Sequence, residues 1–288
     1  TSGIEKFHNA VGIGTASAGY TVPEDLYNQI VTIMYESGAM LNIADVINTR
    51  TLTDLPVDGT APTAYWISES GTYSTSDPTV TRIQLGANKV GVMVPVTEEL
   101  LADSAFNIEQ YIARLAGTAM GRSMENEFIN GTVSGRPTGF LGSATQALTS
   151  SVTNSFNYAN LVSLFAAVKT PYAQRGTWIT GRAALATIMT LQDGASQYVF
   201  QPSYNAGQPD MLLGRPLVTS EYMPALTTTA KGIAFGDFSC YKVAMRGGMN
   251  VQRLNELYAG NGQVAFKFNS RVDGKLALAE AVKTMACL

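Results

Sequence analysis

Residues 95–142 carry the longest amphipathic signal in the chain and read PVTEELLADSAFNIEQYIARLAGTAMGRSMENEFINGTVSGRPTGFLG. Asn107 is a favourable helix cap, and Gln110 stands where a capping box places a glutamine or glutamate. Gly131 is expected to end the helix as a glycine beyond its last turn. These positions predict one helix over residues 107–130, about 36 Å long. Its apolar side chains recur at helical spacing, and they are Ile108, Ile112, Leu115, Ala119, Met120, Met124 and Phe128.

This helix, called the spine helix below, is long enough for flatter elements to pack along it. We expect Ile108, Ile112 and Leu115 to form its buried stripe. The charged side chains Arg114, Arg122 and Glu125 fall elsewhere around its axis. A well-packed leucine in such a stripe contributes roughly 2–5 kcal/mol to stability.

A strand-like region precedes the spine helix. Residues 43–52 lead out and residues 82–94 lead back, whereas residues 54–79 between them are rich in Asp, Gly, Pro, Ser and Thr. A loop of this length is unusual inside a compact domain. The pattern predicts a projecting hairpin whose aromatic side chains Tyr65, Trp66 and Tyr73 cover another subunit. The alternative is a local core around Trp66 within the hairpin itself.

The rest of the chain mixes helices and strands, which predicts an α+β fold. Residues 1–22 form a Gly-, Ala-, Ser- and Thr-rich arm that needs a neighbouring subunit for support, and residues 23–37 predict a short helix. Residues 143–235 alternate short helices and strands, including a helix capped by Asn160 and strands over 177–180 and 198–200. Strands over 241–245 and 249–254 join at Gly247 and Gly248, and residues 264–273 alternate with period two.

Composition favours an obligate oligomer. Hydrophobic residues make up 45% of the chain and charged residues only 14%, against about 25% charged in average soluble chains. Interface cores are depleted in charge. The formal net charge of −3 predicts no bulk attraction to nucleic acid.

The residues that usually carry chemistry are scarce. His8 is the one histidine and lies in the arm, and Cys240 and Cys287 have no metal or redox spacing. The carboxylate pairs Asp54/Asp58 and Glu125/Glu127 are interpreted as solvated charge. The sequence therefore predicts no enzyme, no cofactor and no metal site. A hydrolase using paired carboxylates is a competing hypothesis, which a monomer with a deep polar pocket would favour.

The order of motifs resembles the major capsid proteins of tailed bacteriophages. The matching segments are Trp66–Glu69, residues 97–104, the spine helix, residues 130–142, Leu212–Pro216, Met223–Pro224, Gly236–Phe238 and Arg271–Gly274. The resemblance implies the Hong Kong 97-type capsid fold. Its parts would be an N-terminal arm and short helix (1–40), an extended loop (41–94), a peripheral domain (95–135 and 240–275) and an axial domain (136–239 and 276–288).

The resemblance also implies a function, a set of partners and a location. The chain would assemble with itself as hexamers and pentamers into an icosahedral shell around double-stranded DNA that it does not bind specifically. Further implied partners are a portal, a scaffold or propeptide and a maturation protease, and a decoration protein is compatible with the family. No apolar run approaches the ~20 residues of a membrane span and no signal peptide is visible. We therefore expect no membrane partner, assembly in the host cytoplasm and residence in the virion.

Candidate interface residues follow from the same resemblance. They are Tyr65, Trp66, Glu69 and Tyr73 in the extended loop, and Asn255, Glu256 and Asn261 in a turn that matches the family's loop near three-fold contacts. Some capsid proteins of this fold join a loop lysine to a neighbour's asparagine through an isopeptide bond promoted by a glutamate. Residues 51–88 contain no lysine, and Lys89 lies on the returning strand. We therefore expect a non-covalent shell.

The main alternative is an encapsulin-type nanocompartment, which has the same fold and encloses a cargo enzyme. The start at Thr1 rather than methionine and the long irregular arm favour the phage shell.

Overall fold

The computed structural model describes residues 30, 32–34, 38–51, 53–60, 62, 64–69, 72, 75–76, 79–103, 107–192, 198, 200 and 210–288. The arm predicted over residues 1–22 lies outside these ranges, and so does Tyr73. Of the helix predicted over residues 23–37, Ile30 and residues 32–34 are helical, and Ile30 and Met34 are buried.

The described part of the chain contains the following helices and strands. The helices are α1 (Met40–Ile43), α2 (Glu98–Asp103), α3 (Ile108–Asn130), α4 (Phe140–Ser143), α5 (Tyr158–Ala166), α6 (Thr170–Ala173) and α7 (Arg182–Thr190), with 3-10 turns at Phe238–Cys240 and Ala259–Asn261. The strands are β1 (Asp45–Thr49), β2 (Thr53–Thr60), β3 (Thr79–Leu85), β4 (Asn88–Thr97), β5 (Thr145–Thr149), β6 (Thr177–Thr180), β7 (Met211–Leu212), β8 (Arg215–Thr219), β9 (Ile233–Gly236), β10 (Tyr241–Leu254), β11 (Gln263–Leu276) and β12 (Val282–Ala286).

The first large sheet has four strands in the order β1-β10-β11-β4. β10 and β11 are antiparallel, each has 14 residues, and each is about 46 Å long at ~3.3 Å per residue. The inward-facing positions of β11 follow the predicted period of two. They are Val264, Phe266, Phe268 and Val272, which share one core with the spine helix.

Two expectations about these strands are wrong. The strands predicted on either side of Gly247 and Gly248 are one strand, β10, whose register shifts between Arg246 and Met249. Both glycines have positive φ (72° and 67°), so the chain forms a bulge without leaving the sheet. Residues 43–52 do not pair with the returning segment, because β1 pairs in parallel with β10 and the outer hairpin consists of β2 and β3.

The spine helix is α3, and its ends lie where the sequence predicts them. Asn107 Oδ1 accepts a hydrogen bond from the Gln110 N–H at 3.2 Å, which caps the first turn. Gly131 follows the last helical residue, but its φ of −55° is not left-handed. A glycine is required there for space, because an added Cβ would lie 2.2 Å from the Pro137 carbonyl oxygen.

The buried face of the spine helix differs from the predicted stripe. Leu115 is 51% exposed and Ala119 is also exposed, whereas Ile112 is 4% exposed. The buried positions recur every four residues, so the contact face rotates around a helix of 3.6 residues per turn and leaves Leu115 on the outside. The buried residues are Ile108, Ile112, Ala113, Ala116, Gly117, Met120, Gly121, Met124, Glu125, Phe128 and Ile129.

This rotation makes a matched pair of substitutions informative. Ile112→Ala is expected to lower the free energy of unfolding of the isolated subunit by about 2–5 kcal/mol, because it leaves a cavity in the core. Leu115→Ala, three residues later, should change it by about 0.5 kcal/mol or less, because the side chain is already half in water. Urea denaturation of both variants measures the difference, and equal losses would contradict the observed orientation of the helix.

The second large sheet has six strands in the order β5-β12-β9-β6-β8-β7. Its core is aromatic, with the rings of Trp178 and Phe235 4.4 Å apart. The Trp178 indole N–H donates to the Leu212 carbonyl oxygen at 3.0 Å. β12 brings the end of the chain back into this sheet beside β5. The two sheets agree with an α+β fold, while the domain boundaries given above stay a prediction.

Two local predictions in this region need correction. The cap of α5 is Asn157, whose side-chain oxygen accepts from the Asn160 N–H at 2.9 Å, so the helix begins before Asn160. The strand predicted over residues 198–200 is, in the described residues, an isolated bridge between Tyr198 and Gln192.

Candidate subunit interface

The β2–β3 hairpin is anchored at its root and open beyond it. β2 and β3 pair with each other from Thr53↔Leu85 to Thr60↔Thr79, and no further strand of the described chain joins them. At the root, Asp273 accepts hydrogen bonds from the Gly86 N–H and, at 3.1 Å, from the Asn88 side-chain amide. A two-stranded hairpin is at best marginally stable alone in water. The hairpin therefore has a fixed root and lacks a covering layer of its own.

The segment between β2 and β3 exposes large apolar side chains. Tyr65 and Ile67 are exposed, and Trp66 is as exposed as in an isolated peptide. Glu69, in a turn three residues later, is exposed as well. The local core considered for Trp66 is therefore not formed. Three consecutive large apolar residues in solvent are typical of an interaction site.

The second group of candidates lies in the turn between β10 and β11. Asn255, Glu256 and Asn261 are all exposed. The Arg253 guanidinium donates to Asn255 Oδ1 at 3.0 Å, and the Glu98 N–H donates to the Gly262 carbonyl oxygen at 3.0 Å. The turn is thus held in place at both ends while its polar side chains face solvent.

The two groups of candidates are rooted at opposite ends of one sheet. The hairpin root contacts Asp273, whereas the turn ends beside Gln263. The ten residues of β11 between them correspond to about 33 Å. The roots are therefore too far apart to belong to one compact site.

Glu125 is a buried link that the sequence interpretation missed. It is 2% exposed instead of solvated. Its Oε2 accepts from the Met40 N–H and its Oε1 from the Ser220 hydroxyl, both at 2.9 Å. It thereby joins the spine helix to the segment before β1 and to the segment after β8. Its spacing offered a signal, because Glu125 follows Gly121 by four residues and precedes Phe128 by three on the buried face.

The surroundings of Glu125 shift its pKa and occupy both of its carboxyl oxygens. Burial raises its pKa, and the hydrogen bonds from Met40 and Ser220 oppose the shift. A polar cavity of about 430 Å³ lies beside it, lined by Arg122, Arg182 and Glu221 among others. Both carboxyl oxygens of Glu125 already accept hydrogen bonds from the protein. The other carboxylate of the predicted pair, Glu127, forms a separate ion pair with Arg136 at 2.8 Å.

The described residues offer few other groups that could form a metal site or a reactive thiol. No three His, Cys, Asp or Glu side chains there are grouped so that they hold a metal ion. Cys240 and Cys287 are free thiols, and burial raises the pKa of both. Among the described helices, none has the length and apolar character needed to cross a membrane.

Solved capsids share this fold. A chain of the capsid of a native GTA particle superposes with a TM-score of 0.78 at 24% identity, over 96% of this chain and 95% of that one. A chain of Microbacterium phage Oxtober96 gives 0.72 at 19% identity over 96% of both chains. One of Mycobacterium phage Cain gives 0.69 at 20% identity over 87% and 90%. The fold is the Hong Kong 97-type capsid fold.

Comparison of the sequence with known families assigns the chain to a family. No curated protein sequence matches the chain. The model of the phage capsid family matches residues 18–287, a range that includes both large sheets, the spine helix and the exposed hairpin. Because this match covers nearly the whole chain, the protein belongs to the phage capsid family.

Proposed function

We propose that this capsid protein is the major head protein of a tailed phage, assembling as hexamers and pentamers into an icosahedral shell around double-stranded DNA. The observation that carries the proposal is the hairpin tip, where Tyr65, Trp66 and Ile67 stand uncovered in the single chain. Burying aromatic side chains of this kind is a common source of interface energy. The role is structural, and no catalytic step is part of it.

The arrangement supports assembly through several different edges. The hairpin and the turn at Asn255–Asn261 are rooted at opposite ends of the first sheet, so one copy can present different surfaces to different neighbours. Heterologous contacts of this kind close into rings when the rotation between copies permits. We propose that the hairpin covers an adjacent copy, and that the part around the second sheet is the axial domain where copies meet in hexamers and pentamers.

The remaining partners are proposed from the family. They are a portal, a scaffold or propeptide, a maturation protease and, where present, a decoration protein. The net charge of −3 supports a wall that encloses DNA without gripping it, since binding to DNA depends on neutralising phosphates with Lys and Arg. Assembly is proposed to occur in the host cytoplasm, and the final location is the virion.

The native mass of the purified particle tests this proposal. A shell, a ring and a monomer differ so widely that light scattering separates them without further controls. Electron microscopy and nuclease treatment then identify the contents. Closed particles with nuclease-resistant DNA or a tail support the phage head. Particles holding a protein cargo would identify a nanocompartment, and a stable monomer would overturn the proposal.

The shell is predicted to be non-covalent. Residues 51–88 contain no lysine, so the hairpin cannot supply the amine of an isopeptide bond. Purified mature particles heated in denaturant should therefore migrate as single chains of about 30.7 kDa on a reducing denaturing gel. A ladder of covalent oligomers would contradict this prediction.

A further inference from the structure

A row of cations crosses the first sheet at one register. Thr49 is aligned with Arg246, Arg246 with Arg271, and Arg271 with Lys89. Residues aligned in this way on neighbouring strands project from the same face of a sheet. This face is opposite to that of Phe268 and Val272, which pack into the core with the spine helix. Three adjacent cations repel one another, so the row is unfavourable unless an anion lies over it.

Arg246 is the member of this row that is expected to destabilise the isolated subunit most. Its Nε and Nη2 atoms are buried, and neither has a hydrogen-bond partner in the described chain. Buried polar groups are nearly always paired, and a buried charge without a partner destabilises a fold by several kcal/mol. The residue as a whole is only half-buried, and the next two cations of the row, Arg271 and Lys89, are exposed, so the row can be approached from the surface.

The carboxylates nearest to the row along these strands already bind other groups and do not neutralise its charge. Asp45 pairs with Lys242 at 2.6 Å. Asp273 accepts hydrogen bonds from Gly86, Asn88 and Gly274. In the described residues, none of the cations Arg246, Arg271 and Lys89 takes part in a salt bridge. The described residues therefore supply no carboxylate for this row, and a second copy of the chain can supply one.

We propose that this row binds the Glu69 carboxylate from the hairpin of a second copy, an inference that rests on the proposed assembly function. Residues 51–81 contain Asp54, Asp58, Glu69 and Asp77 and neither lysine nor arginine. The segment therefore has a net charge of −4 in a chain of net charge −3, which leaves +1 for all other residues together. The acidic hairpin and the cationic row are complementary.

Of the two acids in this segment whose side chains are described, Glu69 is the one without an ion-pair partner among the described residues. Asp54 already pairs with Arg82 at 3.5 Å, whereas Glu69 is exposed. It also lies three residues from the uncovered Trp66, so an aromatic anchor and a carboxylate arrive together. A guanidinium group binds a carboxylate through two parallel hydrogen bonds, which fixes the orientation of the incoming loop. DNA phosphate is a poorer candidate, because three cations at one register provide few of the contacts that retain DNA at physiological salt.

The first test distinguishes an effect on the stability of the free subunit from an effect on assembly of the shell. Arg246→Met replaces the unbranched stem of the side chain by one of similar shape and removes the charged guanidinium group, so the free subunit should melt at the same or a higher temperature. The same variant should raise the subunit concentration needed for assembly about tenfold or more, as for other charge pairs buried at interfaces. The control is Lys242→Met, on the same strand and face, whose partner Asp45 lies within the chain. It should affect the free subunit and the shell alike.

The second test identifies the partner. Arg271→Glu should abolish assembly, and adding Glu69→Arg should restore it, because the charges are exchanged. Sedimentation of concentrated subunits reports the same contact as self-association, whether or not a closed shell forms.

Failure of the double variant to recover self-association would overturn the inference, and so would a lower melting temperature of the Arg246→Met subunit. Retention of a short DNA duplex by the wild type that Arg271→Glu abolishes would assign the row to phosphate instead. Absence of wild-type shells alone would count only against the proposed function.

Discussion

Replacement of Glu125 by alanine is expected to lower the free energy of unfolding of the isolated subunit by about 2–5 kcal/mol. The substitution leaves the Met40 N–H and the Ser220 hydroxyl buried without their acceptor, and each such loss costs about 1–3 kcal/mol. Removing the buried carboxyl group relieves part of its desolvation cost but opens a cavity among three segments. Denaturation in urea, followed by circular dichroism, measures the change.

The matched control lies two residues away on the same helix. Glu127→Ala removes an ion pair with Arg136, whose side chain is largely in solvent. Pairs with an exposed partner contribute about 0–1 kcal/mol, so this variant should resemble the wild type. Similar losses from both substitutions would show that Glu125 is not a special link, and that the helix responds to any loss of charge.

The same carboxyl group predicts a dependence on pH. Burial raises the pKa of folded Glu125 above its ordinary value of 4.5, so the folded state holds the proton more tightly than the unfolded state. The stabilisation from this proton is complete below that ordinary value and is lost as the pH rises through the raised pKa. Glu125→Gln cannot titrate. The stability of the wild type relative to this variant should therefore decrease as the pH rises from about 4.5 and become constant above the raised pKa.

Local signals in the sequence were sufficient for the long elements. The spine helix was predicted from its cap, its periodicity and its closing glycine, because helix formation and capping depend on residues within a few positions of one another. The alternation in β11 was equally readable, since a strand with one face in the core repeats every two residues. The fold was predicted from the order of the short motifs along the chain, because no single motif specified it.

Contacts between segments that are distant in the chain could not be predicted from the sequence. Leu115 was assigned to the core because an ideal stripe was assumed, whereas the partners of the helix follow a face that rotates along it. Glu125 looked like solvated charge because its partners, Met40 and Ser220, are 85 and 95 residues away. The parallel pairing of β1 with β10 likewise joins segments about 200 residues apart. The cationic row exists only because the antiparallel pairing of β10 with β11 and of β11 with β4 places Arg246, Arg271 and Lys89 side by side.

Deletion of residues 56–77, with the remaining strands joined by a short glycine-containing turn, should leave a folded subunit that cannot build a stable shell. The core of the subunit lies between the spine helix and the first sheet and around Trp178, and the deleted residues contribute no fully buried side chain among those described. The far-ultraviolet circular dichroism and the melting temperature of the isolated subunit should therefore be retained.

Assembly should respond very differently, because the deletion removes Tyr65, Trp66, Glu69 and Tyr73. Truncating one interface aromatic can cost about 2 kcal/mol or more. Each 1.4 kcal/mol is about tenfold in affinity, and the same contact recurs at every copy of a shell. Light scattering at increasing subunit concentration should then detect no particles where the wild type forms them.

A milder variant separates the contribution of the tip from that of the whole hairpin. Trp66→Ser keeps the length of the loop and removes only the side chain that is fully exposed in the single chain. It should leave the subunit unchanged and raise the concentration required for assembly, which distinguishes a lost anchor from a lost segment. If both variants form particles of normal size and heat resistance, the hairpin does not hold the shell together. Other edges of the two large sheets would then have to supply the contacts between copies.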